Sequence, residues 1–257
     1  MPEKPDRLRE EAVKHFNRTI DLMQEGKPEE SLEALQKAEN AAQEAKSEAI
    51  LFHTLKARGG QILQSLGRLE EALDTYVFSL KISYKSLLED PANELYTDTI
   101  RLNLNNIGNL GNIFQRAGNF ILSKQCYETG LEICQKLLDS HPENTFYQMY
   151  AGNTLNNLGE LLFSKGQLEE AEEKYEKALE IYEKLLQKYP EDTEYLSDKE
   201  MTLNNLGILF SQKGQKEAAK KNFKESLEIL EILSKKDPRD QKLKEEIALR
   251  RKKLEKV

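Results

Sequence analysis

Apolar residues recur along this chain at intervals of three and four. Between 168 and 188 they fall at Leu168, Ala171, Tyr175, Ala178, Leu179, Tyr182, Leu185 and Leu186. That spacing keeps them on one side of an amphipathic helix. The other side carries Glu173–Lys177 and Glu180–Lys184, i,i+4 pairs in the favourable order, with Glu N-terminal to Lys. A second helix is predicted just before it, over roughly 145–165. Gly166 stands between them, where a helix C-terminus takes a left-handed residue. "YP" at 189–190 closes the pair, because the residue before proline avoids the helical region.

The pair is one copy of a repeat. Gly111, Gly159 and Gly207 are spaced by 48 residues, as are Gly118, Gly166 and Gly214, and Tyr127, Tyr175 and Phe223. "LEI" at 131, 179 and 227, and Pro142, Pro190 and Pro238, keep the same interval. An earlier copy has Gly60, Gly67, Tyr76 and Pro91, each 51 before its counterpart. "LNNIG" at 104–108 sits three residues early relative to "LNNLG" at 155–159. A weaker first copy has Gly26, 41 before Gly67.

The expected organisation is a flexible N-terminus over 1–7 and five helix pairs over about 8–46, 47–91, 92–142, 143–190 and 191–238. A basic capping helix follows over 239–257, with Leu243, Ile247, Leu249 and Leu254 among charges. Helical arrays need such a polar-faced cap for solubility. The expected fold class is all-α without strands: an α-solenoid, a right-handed superhelix of about five antiparallel pairs plus the cap.

"TLNNLG" occurs at 154–159 and again at 202–207. Gly costs about 1 kcal/mol relative to Ala inside a helix, so a recurring glycine there calls for a packing reason. Gly159 lies on the first helix and Ala171 on the second, and small residues recur at both places: Gly60 with Ala72, Gly111 with Ser123, Gly207 with Ala219. Close approach of the two helix backbones is the expectation.

The fourth copy, with Leu158-Gly159, Leu162, Gly166, Ala171, Tyr175 and Ala178, resembles the tetratricopeptide repeat. So do Leu206-Gly207, Phe210, Gly214, Ala219, Phe223 and Ser226 in the fifth. The likeness covers about 8–240. It departs from the family in a unit of 48 residues where about 34 is usual, and in having no Trp. "LNNLG" looks most like the long-helix repeats of kinesin light chains.

The resemblance implies a concave face lined by the first helix of each pair, where a partner's peptide segment binds. Counting from the Leu-Gly marker, the candidates are Asn105, Asn109, Asn112 and Arg116 in the third copy. In the fourth they are Asn153, Asn156 and Glu160, and in the fifth Asn204, Ile208 and Ser211. The second offers Thr54, Ala57 and Gln61. A carboxamide both donates and accepts, so it can pair with a peptide unit. Asn156 and Asn204 are the residues expected to grip main chain. Asn157 and Asn205, about 100° further round, are expected to face the neighbouring helix. The alternative is that these asparagines bond helix to helix. A charged clamp for a carboxylate, as in chaperone-binding members of the family, is not expected, since the matching positions hold Asn153, Asn157, Met201 and Asn205.

Composition narrows the classes. Hydrophobic residues are 38% and charged residues 32%, so much of each helix faces water, and the net charge is −7. The last sixteen residues carry seven Lys/Arg against three Glu, +4, which leaves −11 for the rest. An acidic body argues against nucleic acid as a partner. Cys126 and Cys134, two helical turns or about 12 Å apart, are too distant for a disulfide and read as small buried residues. No apolar run suggests a leader or a membrane span, so a soluble cytoplasmic protein is expected.

His15, His53 and His141 lie in separate copies, and no phosphate loop or nucleophile elbow is present. The sequence therefore points to no enzyme, no cofactor and no metal. The reading is a peptide-binding scaffold or adaptor. A peptide-sensing regulator, or a self-assembling element joined through its basic C-terminal helix, is the alternative.

Overall fold

The computed structural model describes residues 4–44 and 58–257; Thr54, Ala57 and His53 lie outside them. The described residues are helical throughout, with no strand. The helices are α1 (Lys4–Gln24), α2 (Pro28–Glu44), a segment over 58–65 (α3), α4 (Leu69–Glu89), α5 (Glu94–Arg116), α6 (Phe120–Ser140), α7 (Thr145–Ser164), α8 (Leu168–Lys188), α9 (Thr193–Gln212), α10 (Lys216–Lys236) and α11 (Gln241–Lys256). Helix α1 begins at Lys4, inside the segment expected to be flexible. The fold is the all-α array of helix pairs that the sequence predicts. It divides into two compact units, Met1–Thr129 and Gly130–Val257, with the division falling inside α6.

Each boundary has a chemical cause. Gly26, Gly67, Gly118, Gly166 and Gly214 all have φ between 73° and 76°, the left-handed conformation that ends a helix without a Cβ clash. After Gly166, the Gln167 N–H donates back to the Leu162 carbonyl at 3.0 Å. The helices after the prolines start alike. Asn93, Asn144, Asp192 and Asp240 are N-caps whose side chains accept from backbone N–H groups two or three residues on. Such caps are worth about 1 kcal/mol each. Three of them are 48 apart, and the last opens α11.

The marker glycines have a different partner from the one expected. A Cβ on Gly60, Gly111, Gly159 or Gly207 would come within 2.4, 2.5, 2.7 or 2.5 Å of the ring of Tyr76, Tyr127, Tyr175 or Phe223. The glycine makes room for an aromatic ring sixteen residues later, not for the backbone at Ala171. Ala171 is itself fully buried. The rings are the largest members of the core, which is why glycine and ring keep one period. In the second unit, α7 packs on α8, α8 on α9, α9 on α10 and α10 on α11, and α7 also touches α9. Cys126 and Cys134 are free and buried, and burial pushes both thiols up to about 12.

Candidate functional site

The first unit offers one continuous stripe on α5. Leu102, Asn105, Asn109 and Arg116 are exposed along one face, and no side-chain partner is made by Asn105 or Asn109 among the described residues. Asn112, half-buried on the same side, accepts from the Tyr127 hydroxyl at 2.6 Å. Asn103, on the opposite side, donates to the Ser79 hydroxyl at 2.9 Å and has no solvent contact.

In the second unit the asparagines are sorted differently. Asn156 is only 1% exposed, and its carbonyl accepts from the Asn205 amide of the next pair at 3.2 Å. Asn204 accepts from Lys253 Nζ of α11 at 2.8 Å. The two residues expected to grip a peptide are thus occupied in bonds from one first helix to the next. The reason is register: each bond spans 49 residues, one repeat plus one position, so both contacts are the same step of the array. Asn153 is engaged too, accepting from the Tyr182 hydroxyl at 2.7 Å.

The open carboxamide on this face is Asn157, which the sequence reading turned toward a neighbour. It is half-buried and makes no side-chain hydrogen bond among the described residues. Asn205, 48 residues on, gives its amide N–H to Asn156 and keeps its carbonyl free. Glu160 and Ser211 are exposed, and Ile208 is half-buried. Met201, 40% exposed, adds an apolar contact surface.

Charged groups lock the helices beneath this face. Lys199, largely buried, bridges Glu183 of α8 at 3.5 Å and Glu225 of α10 at 2.7 Å. Lys213 reaches Glu172 and Glu169 of α8 at 2.5 and 3.4 Å. Glu200 and Arg250, 6% and 5% exposed, form a buried ion pair, and the Ser226 hydroxyl donates to the same Glu200 oxygen at 2.7 Å. Arg250 is the buried residue of α11, so the last helix is seated by charge where the others are seated by apolar side chains.

Asp198 sits among Asn153 of α7, Tyr182 of α8 and Glu194 of its own helix. Burial, then Glu194, pushes its carboxyl up to about 6, against the hydrogen bond with Asn153; Asp192 adds to the rise. Its Oδ2 is buried without a partner. Burial likewise raises the Tyr182 hydroxyl.

Glu200, Arg250 and Lys253 were not among the sequence candidates. A signal for the last did exist: Lys253 is 48 after Asn205 and follows the recurrent N-cap at Asp240, so α11 is in step as the first helix of a further pair. Among the described residues no group of three His, Cys, Asp or Glu side chains could hold a metal ion. No described helix is long and apolar enough to cross a membrane.

Residues 150–232 match the tetratricopeptide repeat family. No curated protein matches the chain. BtubC (BKLC) from P. vanneervenii is similar over 90% of this chain and 89% of its own, at 22% identity and a TM-score of 0.56. The nearly identical TPR-like repeats of a candidate kinesin light chain from Podosopora anserina are similar over 92% of this chain and 99% of their own, at 19% identity and a TM-score of 0.50. The MamA protein is similar over 89% of this chain and 96% of its own, at 16% identity and a TM-score of 0.50. At these identities the likeness is one of fold, and the fold is that of tetratricopeptide-type repeats.

Proposed function

We propose that this chain is a protein-interaction scaffold that holds a peptide segment of a protein partner against the first-helix faces of its repeats. The observation that carries the reading is Asn157. Among the inward asparagines of the second unit, Asn153, Asn156, Asn204 and Asn205 all make hydrogen bonds within the fold, and Asn157 makes none. A half-buried carboxamide with both groups open can meet the C=O and N–H of a peptide unit. Asn109 on α5 occupies the same place in the repeat, 48 residues earlier, and is open too. The binding set therefore changes from the one expected. Asn105, Asn109, Asn157, Glu160, Ile208 and Ser211 stay in it, and Asn156 and Asn204 leave it for the scaffold.

Selection of displayed random peptides on the wild-type chain, followed by titration into variants, tests this. Each lost hydrogen bond to a neutral partner costs about 0.5–1.5 kcal/mol. Asn157→Ala is expected to weaken the selected peptides by roughly two- to twelvefold and to leave the melting temperature unchanged or slightly higher, because Ala is the better helix former. Selected peptides that bind Asn157→Ala as tightly as wild type would refute the reading.

A further inference from the structure

The seat of α11 has an unbalanced charge. Two cations, Arg250 and Lys253, face one carboxylate, Glu200. Arg250 spends one nitrogen on Glu200, while its Nε and NH1 are sealed from solvent without any partner among the described residues. Buried polar groups are almost always hydrogen-bonded, so this guanidinium leaves an uncompensated positive field. Lys253 stands in that field. It is half-buried, and its ammonium is held below the usual lysine range by burial and by Arg250, against the pull of Glu200. Its fixed contacts are a neutral carbonyl, Asn204 at 2.8 Å, and the face of the Phe223 ring, 5.8 Å to the centroid. An ammonium has three donors, and no anion within the fold is bonded to this one.

Position gives the imbalance a use. Asn157, Asn205 and Lys253 follow one another at 48-residue steps, on α7, α9 and α11. A segment lying along the first two carboxamides meets Lys253 next. Leu249, 53% exposed one turn before Lys253, repeats the place of Met201, also 48 earlier. The lane thus runs from neutral hydrogen-bonding groups to a cation flanked by apolar surface.

We propose that the α11 end of this lane is a carboxylate-accepting subsite centred on Lys253, and that the bound segment carries an acidic group there. The assignment rests on the peptide-binding reading above. A carboxylate at Lys253 forms a charge-assisted hydrogen bond, roughly twice as strong as a neutral one. It also supplies the second negative charge that Arg250 and Lys253 lack. Arg250 acts as a positioning residue: it does not reach the segment but sets the field and seats α11.

The test uses the full chain and the displayed random peptides, whose C-termini are blocked by fusion. The expected result is an Asp or Glu at one fixed place in the selected peptides. Lys253→Gln should weaken such a peptide about tenfold and leave its Glu→Gln counterpart unchanged, whereas Lys253→Arg should keep the acid preference. Asn157→Ala should weaken both peptides alike. Thermal melts of the three variants check that α11 remains seated. Synthetic peptides with free and amidated C-termini then separate the two sources of carboxylate: a preference for the free acid with no internal Asp or Glu assigns a chain terminus, and no difference assigns a side chain. Selected peptides without an acidic position, or an equal loss for acid and amide peptides in Lys253→Gln, would overturn the subsite while leaving the peptide lane standing. Failure to select any peptide would overturn both.

Discussion

The words "LNNIG" in α5 and "LNNLG" in α7 are nearly identical, yet their asparagines do opposite things. In α5 the first, Asn105, is exposed and open, and the second, Asn106, buries an amide nitrogen without a partner. In α7 the first, Asn156, is sealed and bonded to Asn205, and the second, Asn157, is the open one. The cause is a three-residue offset from the glycine that meets the aromatic ring. Gly111 and Gly159 are equivalent, so Asn105 lies six before its glycine and Asn156 three before. Three residues turn a helix by about 300°, which moves each asparagine to another face. A side chain's role follows its distance from the packing marker, not the motif that contains it.

The largest effect that sharpens this comparison lies where the array ends. Glu200→Ala leaves Arg250 buried and unpaired. It is expected to cost about 3–5 kcal/mol, read as a lower urea midpoint and loss of hydrogen-exchange protection in α11. The pair Glu200→Leu with Arg250→Met should recover most of that loss, since replacing a buried ion pair by apolar groups is often neutral or better. An unchanged midpoint in Glu200→Ala would mean that charge does not seat α11.

The glycines should behave alike where the asparagines differ. Gly111→Ala and Gly159→Ala each force a ring to move, because the added Cβ would lie 2.5 and 2.7 Å from Tyr127 and Tyr175. Overpacking of this kind costs about 1–3 kcal/mol, more than the gain of about 1 kcal/mol in helix propensity. Equal melting-temperature losses in the two variants would place the marker in the same packing in both units. A stabilised variant would remove the ring contact as the reason for the glycine.

Asp198 gives a smaller, pH-dependent effect. Its folded pKa is raised from 3.8 to about 6, so the folded chain holds this proton more tightly than the unfolded one. The contribution is fully present below about pH 4 and is lost as the pH rises through about 6. Asp198→Asn, which cannot ionise, should therefore be the more stable chain at pH 7, by about 1–2 kcal/mol after allowance for its partial exposure. The two should converge near pH 4. Parallel urea titrations at pH 4 and 7 measure the difference, and a variant less stable than wild type at pH 7 would contradict the environment described for this carboxyl.

Much of the fold could be read from the residues. The Gly166 class of stops, the YP and HP breaks, and the shared period of glycine and ring predicted the helix pairs and their turns. The ring as the partner of Gly159 was missed, although Tyr175 kept its period as faithfully as Ala171 did. The site was legible in kind but not in detail. Asn156 and Asn157 differ by one step of about 100°, and which of them is covered depends on the neighbouring helix, through contacts that local periodicity does not encode. Glu200 and Arg250 stand 50 apart with nothing local to couple them. The place of α11 as a further first helix was written in Asp240 and in the step from Asn205 to Lys253, had the repeat been followed past Pro238.

The most direct measurement compares two neighbours in one helix. Asn156→Ala and Asn157→Ala are each melted and titrated with the same selected peptide. Asn156→Ala is expected to lower the melting temperature, as the loss of a buried hydrogen bond of about 1 kcal/mol implies, while the folded fraction binds the peptide as wild type does. Asn157→Ala is expected to keep its melting temperature and lose affinity. The opposite pairing, a destabilised Asn157→Ala that binds normally beside a stable Asn156→Ala that does not, would contradict the division of these asparagines between scaffold and ligand.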